Sequence, residues 1–143
     1  MAKEIKTEIR INTTPEKVWQ VLTDFENFPK WNPFIQSITG DIALGEKLIV
    51  KILPPNRKLM TFNPRVVVSI PNEELQWLGS GPIIGLFDGQ HSFKIIQESD
   101  GSVKFEHGER FTGILVGLMP KLLKDTELGF NQMNEALKTR CEL

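Results

Sequence analysis

GQHSFKIIQESDGSVKFEHGERFTG, residues 89–113, reads as two strands folded back on one turn. Phe93 and Ile95 alternate with polar neighbours on the first arm, and Phe105 and Phe111 mark the same alternation on the second. A period of two is that of a strand with one face buried. At the reversal Gly101, which can take a left-handed backbone conformation, follows Ser99 and Asp100. A two-residue loop would set the apolar parity of one arm against the polar parity of the other, so Ser99, Asp100 and Gly101 are expected to form a loop of three. That register places His91 opposite Glu109 and Phe93 opposite His107.

His91, His107 and Glu109 share the parity of the core phenylalanines, so three polar groups are expected to point inward. Directly opposed side chains have β-carbons about 5 Å apart, close enough for His91 and Glu109 to share a charge-assisted hydrogen bond. Two uses fit such a pair. It can donate and accept a proton beside a bound ligand, because burial and a neighbouring imidazolium act in opposite directions on a carboxyl group. It can equally be a satisfied polar pair of the sheet. Two histidines and a carboxylate are also the ligand types of a non-haem iron triad. Alternate residues of one strand stand about 6.6 Å apart, however, and the chain has no third histidine, so no metal is expected. Cys141 lies near the terminus beyond the helix stripe, and no serine sits in a nucleophile elbow.

Working outward, residues 3–11 alternate Ile5, Ile9 and Ile11 with charged neighbours and predict a first strand. Thr14, Pro15 and Glu16 supply an N-cap, a first-turn proline and a first-turn acid for a helix running to about residue 24. Residues 25–34 hold Pro29 and Pro33 among Phe28, Trp31 and Phe34, which predicts a short second helix and a turn. Strands follow at 35–39, 47–53, 58–70, 75–79, 87–97 and 102–113, with Pro64 marking a bulge or an edge in the third of these. Leu122, Thr126, Phe130, Met133 and Leu137 recur at steps of three and four, so residues 118–138 form one long amphipathic helix. A meander of antiparallel strands with helices segregated to one face is the α+β solution, and a sheet curved round the helix without closing on it leaves a cavity.

At 143 residues, with 40% hydrophobic and 24% charged, the chain has enough apolar surface for one sizeable core, which excludes disorder. It is read as a single domain, residues 1–143. Lys and Arg total 17 against 18 acidic residues, so no net field draws nucleic acid, and no nucleic-acid partner is expected. The charged start MAKEIKTEIR, the single cysteine and the lack of any run approaching ~18 apolar residues predict a cytoplasmic protein with no integral membrane segment. Gly79 to Phe87 resembles a phosphate loop only superficially, because the glycine spacing is wrong and Pro82 lacks an N–H. Ile83, Ile84 and Leu86 between glycines instead suit an apolar lid, or a loop packed on the core.

Several of these stretches together carry a resemblance. Thr14-Pro15-Glu16-Lys17-Val18-Trp19, Phe28-Pro29-Lys30-Trp31, Pro64-Arg65-Val66, Leu75-Gln76-Trp77, Gly89 to Phe93 and Phe105 to Gly113 make the chain similar to the START-like (SRPBCC) superfamily, in particular its polyketide cyclase/dehydrase-like branch. The resemblance implies a helix-grip fold, a curved seven-stranded antiparallel sheet round a long C-terminal helix with two short helices after the first strand. It also implies a cavity for lipids, polyketides or aromatic compounds, used by carriers, cyclases and chaperone activators alike. The expected function is non-covalent binding of a hydrophobic small molecule without cofactor, by a monomer or homodimer. Met60, Phe62, Val66, Trp77, Phe93, Phe111, Thr126, Phe130 and Met133 are the candidate cavity wall. A cyclase or dehydratase would instead use Glu109 as base and His91 or His107 as acid, and a protein-interaction module would use the outer surface.

Overall fold

The computed structural model describes residues 2–80 and 85–143. The elements run β1 (Ala2–Ile11), α1 (Pro15–Thr23), a single 3-10 turn (Phe25–Asn27), α2 (Phe28–Trp31), β2 (Ile35–Thr39), β3 (Ile49–Ile52), β4 (Met60–Phe62), β5 (Arg65–Ile70), β6 (Glu74–Ser80), β7 (Asp88–Gln97) and β8 (Val103–Thr112). A second 3-10 turn (Val116–Leu118) leads into α3 (Pro120–Cys141). The fold is α+β and antiparallel, with the long helix closing it.

The β7–β8 hairpin has the register expected from its loop: His91 pairs with Glu109, Phe93 with His107 and Gln97 with Val103. Gly101 takes φ +87°, and the turn closes with Gly101 N–H donating to the Glu98 carbonyl at 3.1 Å and Glu98 N–H to the Ser102 carbonyl at 2.8 Å. β1 joins the far edge of β8, pairing Thr7 with His107 and Ile5 with Glu109. The strand orders are β1-β8-β7-β6-β5 and β2-β3-β4.

The expected count of seven strands becomes eight because the stretch read as one strand, 58–70, is divided by Asn63 and Pro64 into β4 and β5. Proline has no N–H to give a ladder. The division is local, however. The antiparallel bridge of Lys47 with Arg65 continues the β3–β4 register of Val50 with Phe62, and Leu48 N–H donates to the Pro64 carbonyl at 2.8 Å. Val66 N–H likewise reaches the Glu46 carbonyl at 2.9 Å, so the two sheets share a backbone seam. Of the bulge or edge expected at Pro64, the edge is found, since β4 and β5 are outer strands of their sheets, and the bulge lies between Val66 and Val68. It turns the later residues over, which leaves Ile70 exposed while Val66 remains buried.

Thr14 caps α1, its hydroxyl accepting from Lys17 N–H at 3.2 Å, with Pro15 in the first turn. Val18, Trp19, Val21 and Leu22 bury its inner face. α3 buries Leu122, Thr126, Gly129, Phe130, Met133, Asn134, Leu137 and Cys141. Gly129 is required where it stands, because a β-carbon there would overlap the Phe34 ring, which packs edge-on against Phe130 with centroids 5.4 Å apart. No helix is long and apolar enough to cross a membrane among the described residues.

A β-carbon at Gly101 would meet nothing within 4 Å, so substitution there costs backbone conformation alone. Gly101→Ala is expected to destabilise the protein by about 1–2 kcal/mol in urea unfolding, the cost of a left-handed L-residue. An unchanged midpoint would show that the turn does not hold the register.

Candidate functional site

Under the N-terminal part of α3 the sheet and helix do not meet, and a cavity opens between them. Its wall comes from β2 and its approach (Phe34, Ile35), β3 and β4 (Val50, Ile52, Met60, Phe62), β6 (Trp77), β7 and β8 (His91, Glu109, Phe111) and α3 (Leu122, Thr126), with Phe87 beside the entry to β7. The cavity opens through a mouth to solvent, and the atom-free space within it and its mouth is about 660 Å3.

Five of the nine residues expected on the wall are there: Met60, Phe62, Trp77, Phe111 and Thr126. Val66, Phe93, Phe130 and Met133 lie off it, each buried in solid core. The reason is the descent of α3 onto the sheet: the Phe130 ring stacks on His107 with centroids 3.9 Å apart and planes 11° apart, which fills the space beyond Thr126. Phe34, Ile35, Val50, Ile52, Pro64, Phe87 and Leu122 line the cavity although none of them is among the wall residues expected from the sequence. Of the apolar loop expected to act as a lid or to pack on the core, Ile83 and Ile84 lie outside the described residues.

The polar side of the cavity is His91 with Glu109. Their side chains are 6% and 17% exposed, and His91 Nδ1 stands 3.4 Å from Glu109 Oε1. Gly89 makes room for the carboxylate, since a β-carbon there would collide with Glu109 Oε2. Trp77 and Phe93 flank the His91 ring at centroid distances of 5.1 and 4.7 Å. His107 does not reach the cavity. It lies behind His91, Nε2 to Nε2 at 2.7 Å, and its Nδ1 is 2.9 Å from Asn134 Oδ1 on α3. Asn134 Nδ2 donates to the Thr7 hydroxyl at 2.8 Å, and that hydroxyl donates to the His107 carbonyl at 2.7 Å.

A continuous chain of hydrogen-bonding groups thus runs from the cavity wall through the core to β1. Thr7 and Asn134 were not among the candidate residues. The signal for them was a polar residue on an apolar parity: Thr7 falls in step with Ile5, Ile9 and Ile11, and Asn134 sits one turn beyond Phe130 on the buried face of α3.

Burial holds the His107 proton affinity well below the usual 6.5, the charge of His91 adds to this, and the Asn134 hydrogen bond opposes it. Among the described residues no group of three or more His, Cys, Asp or Glu side chains is arranged to hold a metal ion. Burial also pushes the Cys141 thiol up to about 11, which keeps it protonated and poorly nucleophilic.

The family model described as polyketide cyclase/dehydrase and lipid transport matches residues 2–142. The chain belongs to that family. No curated protein sequence matches it. Among solved structures it is similar to the Zhui aromatase/cyclase from Streptomyces sp. R1128 at TM-score 0.80, with 9% identity over 99% of this chain and 94% of that one. A hypothetical protein from Helicobacter pylori is similar at TM-score 0.80, with 13% identity over 97% of this chain and 88% of that one. A START superfamily protein from Mycobacterium smegmatis is similar at TM-score 0.76, with 17% identity over 97% of both chains. At these identities the likeness is one of fold, and it agrees with a helix-grip arrangement in this family member.

The neutral, buried His107 gives a stability prediction whose sign is fixed. The unfolded chain takes up a proton near pH 6.5 and the folded chain resists it, so stability is full above that pH and is lost as pH falls below it. The loss is at most about 1.4 kcal/mol per pH unit for one such group. Urea unfolding at pH 7.5 and 5.5 is expected to show the decline in the wild type and a shallower one in His107→Gln. Equal slopes would mean that His107 does not titrate in this way.

Proposed function

We propose that this family member binds a neutral, largely apolar small molecule bearing a hydroxyl or enol group, with its ring or chain in the cavity and its polar end at Glu109 and His91. The observation that carries the reading is the composition of the wall: among the described lining residues apolar and aromatic side chains predominate, the hydroxyls of Ser80 and Thr126 are the other polar side chains, and there is one acid–imidazole pair. Among the described lining residues there is one carboxylate and no Lys or Arg. An anionic head group buried there would face Glu109 without a fixed cation, which is costly in a dry site. A hydroxyl would instead donate to the carboxylate and lose nothing. Apolar burial, at about 25 cal/mol per Å2, supplies the affinity. A polyketide or other aromatic compound fits this description better than a free fatty acid.

Acid–base chemistry on such a ligand is the second reading. It is favoured by the position of Glu109, whose carboxylate borders the cavity with an imidazole nitrogen beside it. The similarity in fold to a protein named as an aromatase/cyclase supports the same reading.

Titration with the neutral fluorophore N-phenyl-1-naphthylamine is expected to show saturable binding to the wild type. Thr126→Phe, which projects a ring from α3 into the cavity, is expected to weaken it at least tenfold, a loss of about 1.4 kcal/mol. 1-Hexadecanol should displace the fluorophore better than palmitate does. Equal affinity in the wild type and a folded Thr126→Phe would rule the cavity out as the binding site. Native mass spectrometry of freshly purified protein, followed by incubation of any retained compound with the wild type and Glu109→Gln, separates the two readings. Product formed by the wild type and lost in the variant marks catalysis, and an unaltered compound in both leaves binding alone.

A further inference from the structure

The hydrogen-bond chain behind the cavity can be assigned proton by proton. Thr7 has one hydroxyl hydrogen, and it is given to the His107 carbonyl at 2.7 Å. Toward Asn134 the hydroxyl therefore offers only a lone pair, which accepts from Nδ2 at 2.8 Å. That settles the orientation of the amide and turns Oδ1 toward His107 Nδ1 at 2.9 Å. An amide oxygen only accepts, so His107 carries its hydrogen on Nδ1. His107 is completely enclosed and neutral, which leaves its Nε2 as a bare acceptor. The 2.7 Å contact with His91 Nε2 then requires the hydrogen to come from His91. With Nε2 committed to its neighbour, the one His91 atom free to exchange a proton is Nδ1, and Glu109 Oε1 faces it at 3.4 Å on the cavity wall.

We propose that Thr7 and Asn134, neither of which lines the cavity, are positioning residues that fix the tautomers of His107 and His91, so that the cavity is served by a single exchangeable proton shared between His91 Nδ1 and Glu109. The inference rests on the reading that this pair meets the ligand. The control is exerted from two other elements, β1 and α3, and passes through the core. Its logic is binary. Without the Thr7 hydroxyl nothing prevents the Asn134 amide from turning over and presenting its NH2 to His107 Nδ1. His107 must then hold its hydrogen on Nε2, His91 must accept there, and His91 must carry its own hydrogen on Nδ1. The pair facing the ligand would change from one that shares a mobile proton to one with a fixed N–H donor aimed at the carboxylate.

Long-range 1H–15N correlation spectra of the imidazole rings, recorded on ligand-free protein at pH 8, read the tautomers directly. The wild type is expected to show His107 protonated on Nδ1 and His91 on Nε2. Thr7→Val, which keeps the side-chain shape, is expected to introduce the opposite tautomer at both rings together, and Thr7→Ser to restore the wild-type pattern. Wild-type His107 protonated on Nε2 would overturn the assignment whatever the stability of the variants. A Thr7→Val spectrum unchanged, or changed at one ring only, would overturn the coupling. N-phenyl-1-naphthylamine titration of the same samples reports on the cavity separately, so a failure of the binding reading leaves the tautomer result standing and a failure of the tautomer result leaves binding intact.

Discussion

One three-residue turn, Ser99 to Gly101, sets the register on which the site depends. Side chains alternate across a strand, so a slip of one residue between the arms would turn one of them over and carry either His91 and Phe93 or His107, Glu109 and Phe111 to the outer face. Both neighbouring pairings reinforce the choice. β1 holds β8 from the other side with Thr7 opposite His107, and β6 holds β7 with Trp77 opposite His91. Arg10 on β1 also forms an ion pair with Asp100 in the turn itself, though an exposed pair of this kind contributes little. The aromatic ring of one strand, the imidazole of the next and the carboxylate of the third are thereby lined up across the sheet.

The helix decides how much of that inner face becomes cavity. Where Phe130 stacks on His107 and Asn134 meets both β1 and β8, the interior is filled and its polar groups are partnered. A buried polar network is tolerable only in that condition, since each unpaired group would cost about 1–3 kcal/mol. Toward the start of α3 the side chains are Leu122 and Thr126, too small to reach across to Trp77 and Phe111, and the hollow is what remains. Arg57, in the β3–β4 connection, pairs with Asp125 of α3 at 2.9 Å and ties that connection to the helix. Core and cavity are thus two ends of one helix–sheet interface, joined by the two histidines.

Much of this could be read from residue order. Periodicity gave the elements, because Ile5, Ile9 and Ile11 alternate and Leu122, Thr126, Phe130, Met133 and Leu137 recur at helical spacing. Turn chemistry gave the His91–Glu109 opposition. The family followed from stretches spread along nearly the whole chain. What escaped was whatever depends on distance between elements far apart in sequence. Parity shows that Phe93, Phe130 and Met133 face inward but not whether the opposing element touches them, so cavity and core could not be told apart. The bulge between Val66 and Val68 leaves no mark in residue type, whereas Pro64 marks the edges at which β4 and β5 lie. Thr7 and Asn134 are 127 residues apart, and their contact exists only once α3 is laid across β1.

The central claim is that a neutral, hydroxyl-bearing apolar molecule occupies the space between sheet and helix with its polar end at the Glu109–His91 pair. A crystal structure of the protein soaked with 1-naphthol tests it most directly. The account predicts the ring between Trp77, Phe111 and Leu122, with its oxygen within hydrogen-bonding distance of Glu109 or His91 Nδ1. Naphthol bound only on the outer surface, beside a cavity closed by the protein's own side chains, would contradict it.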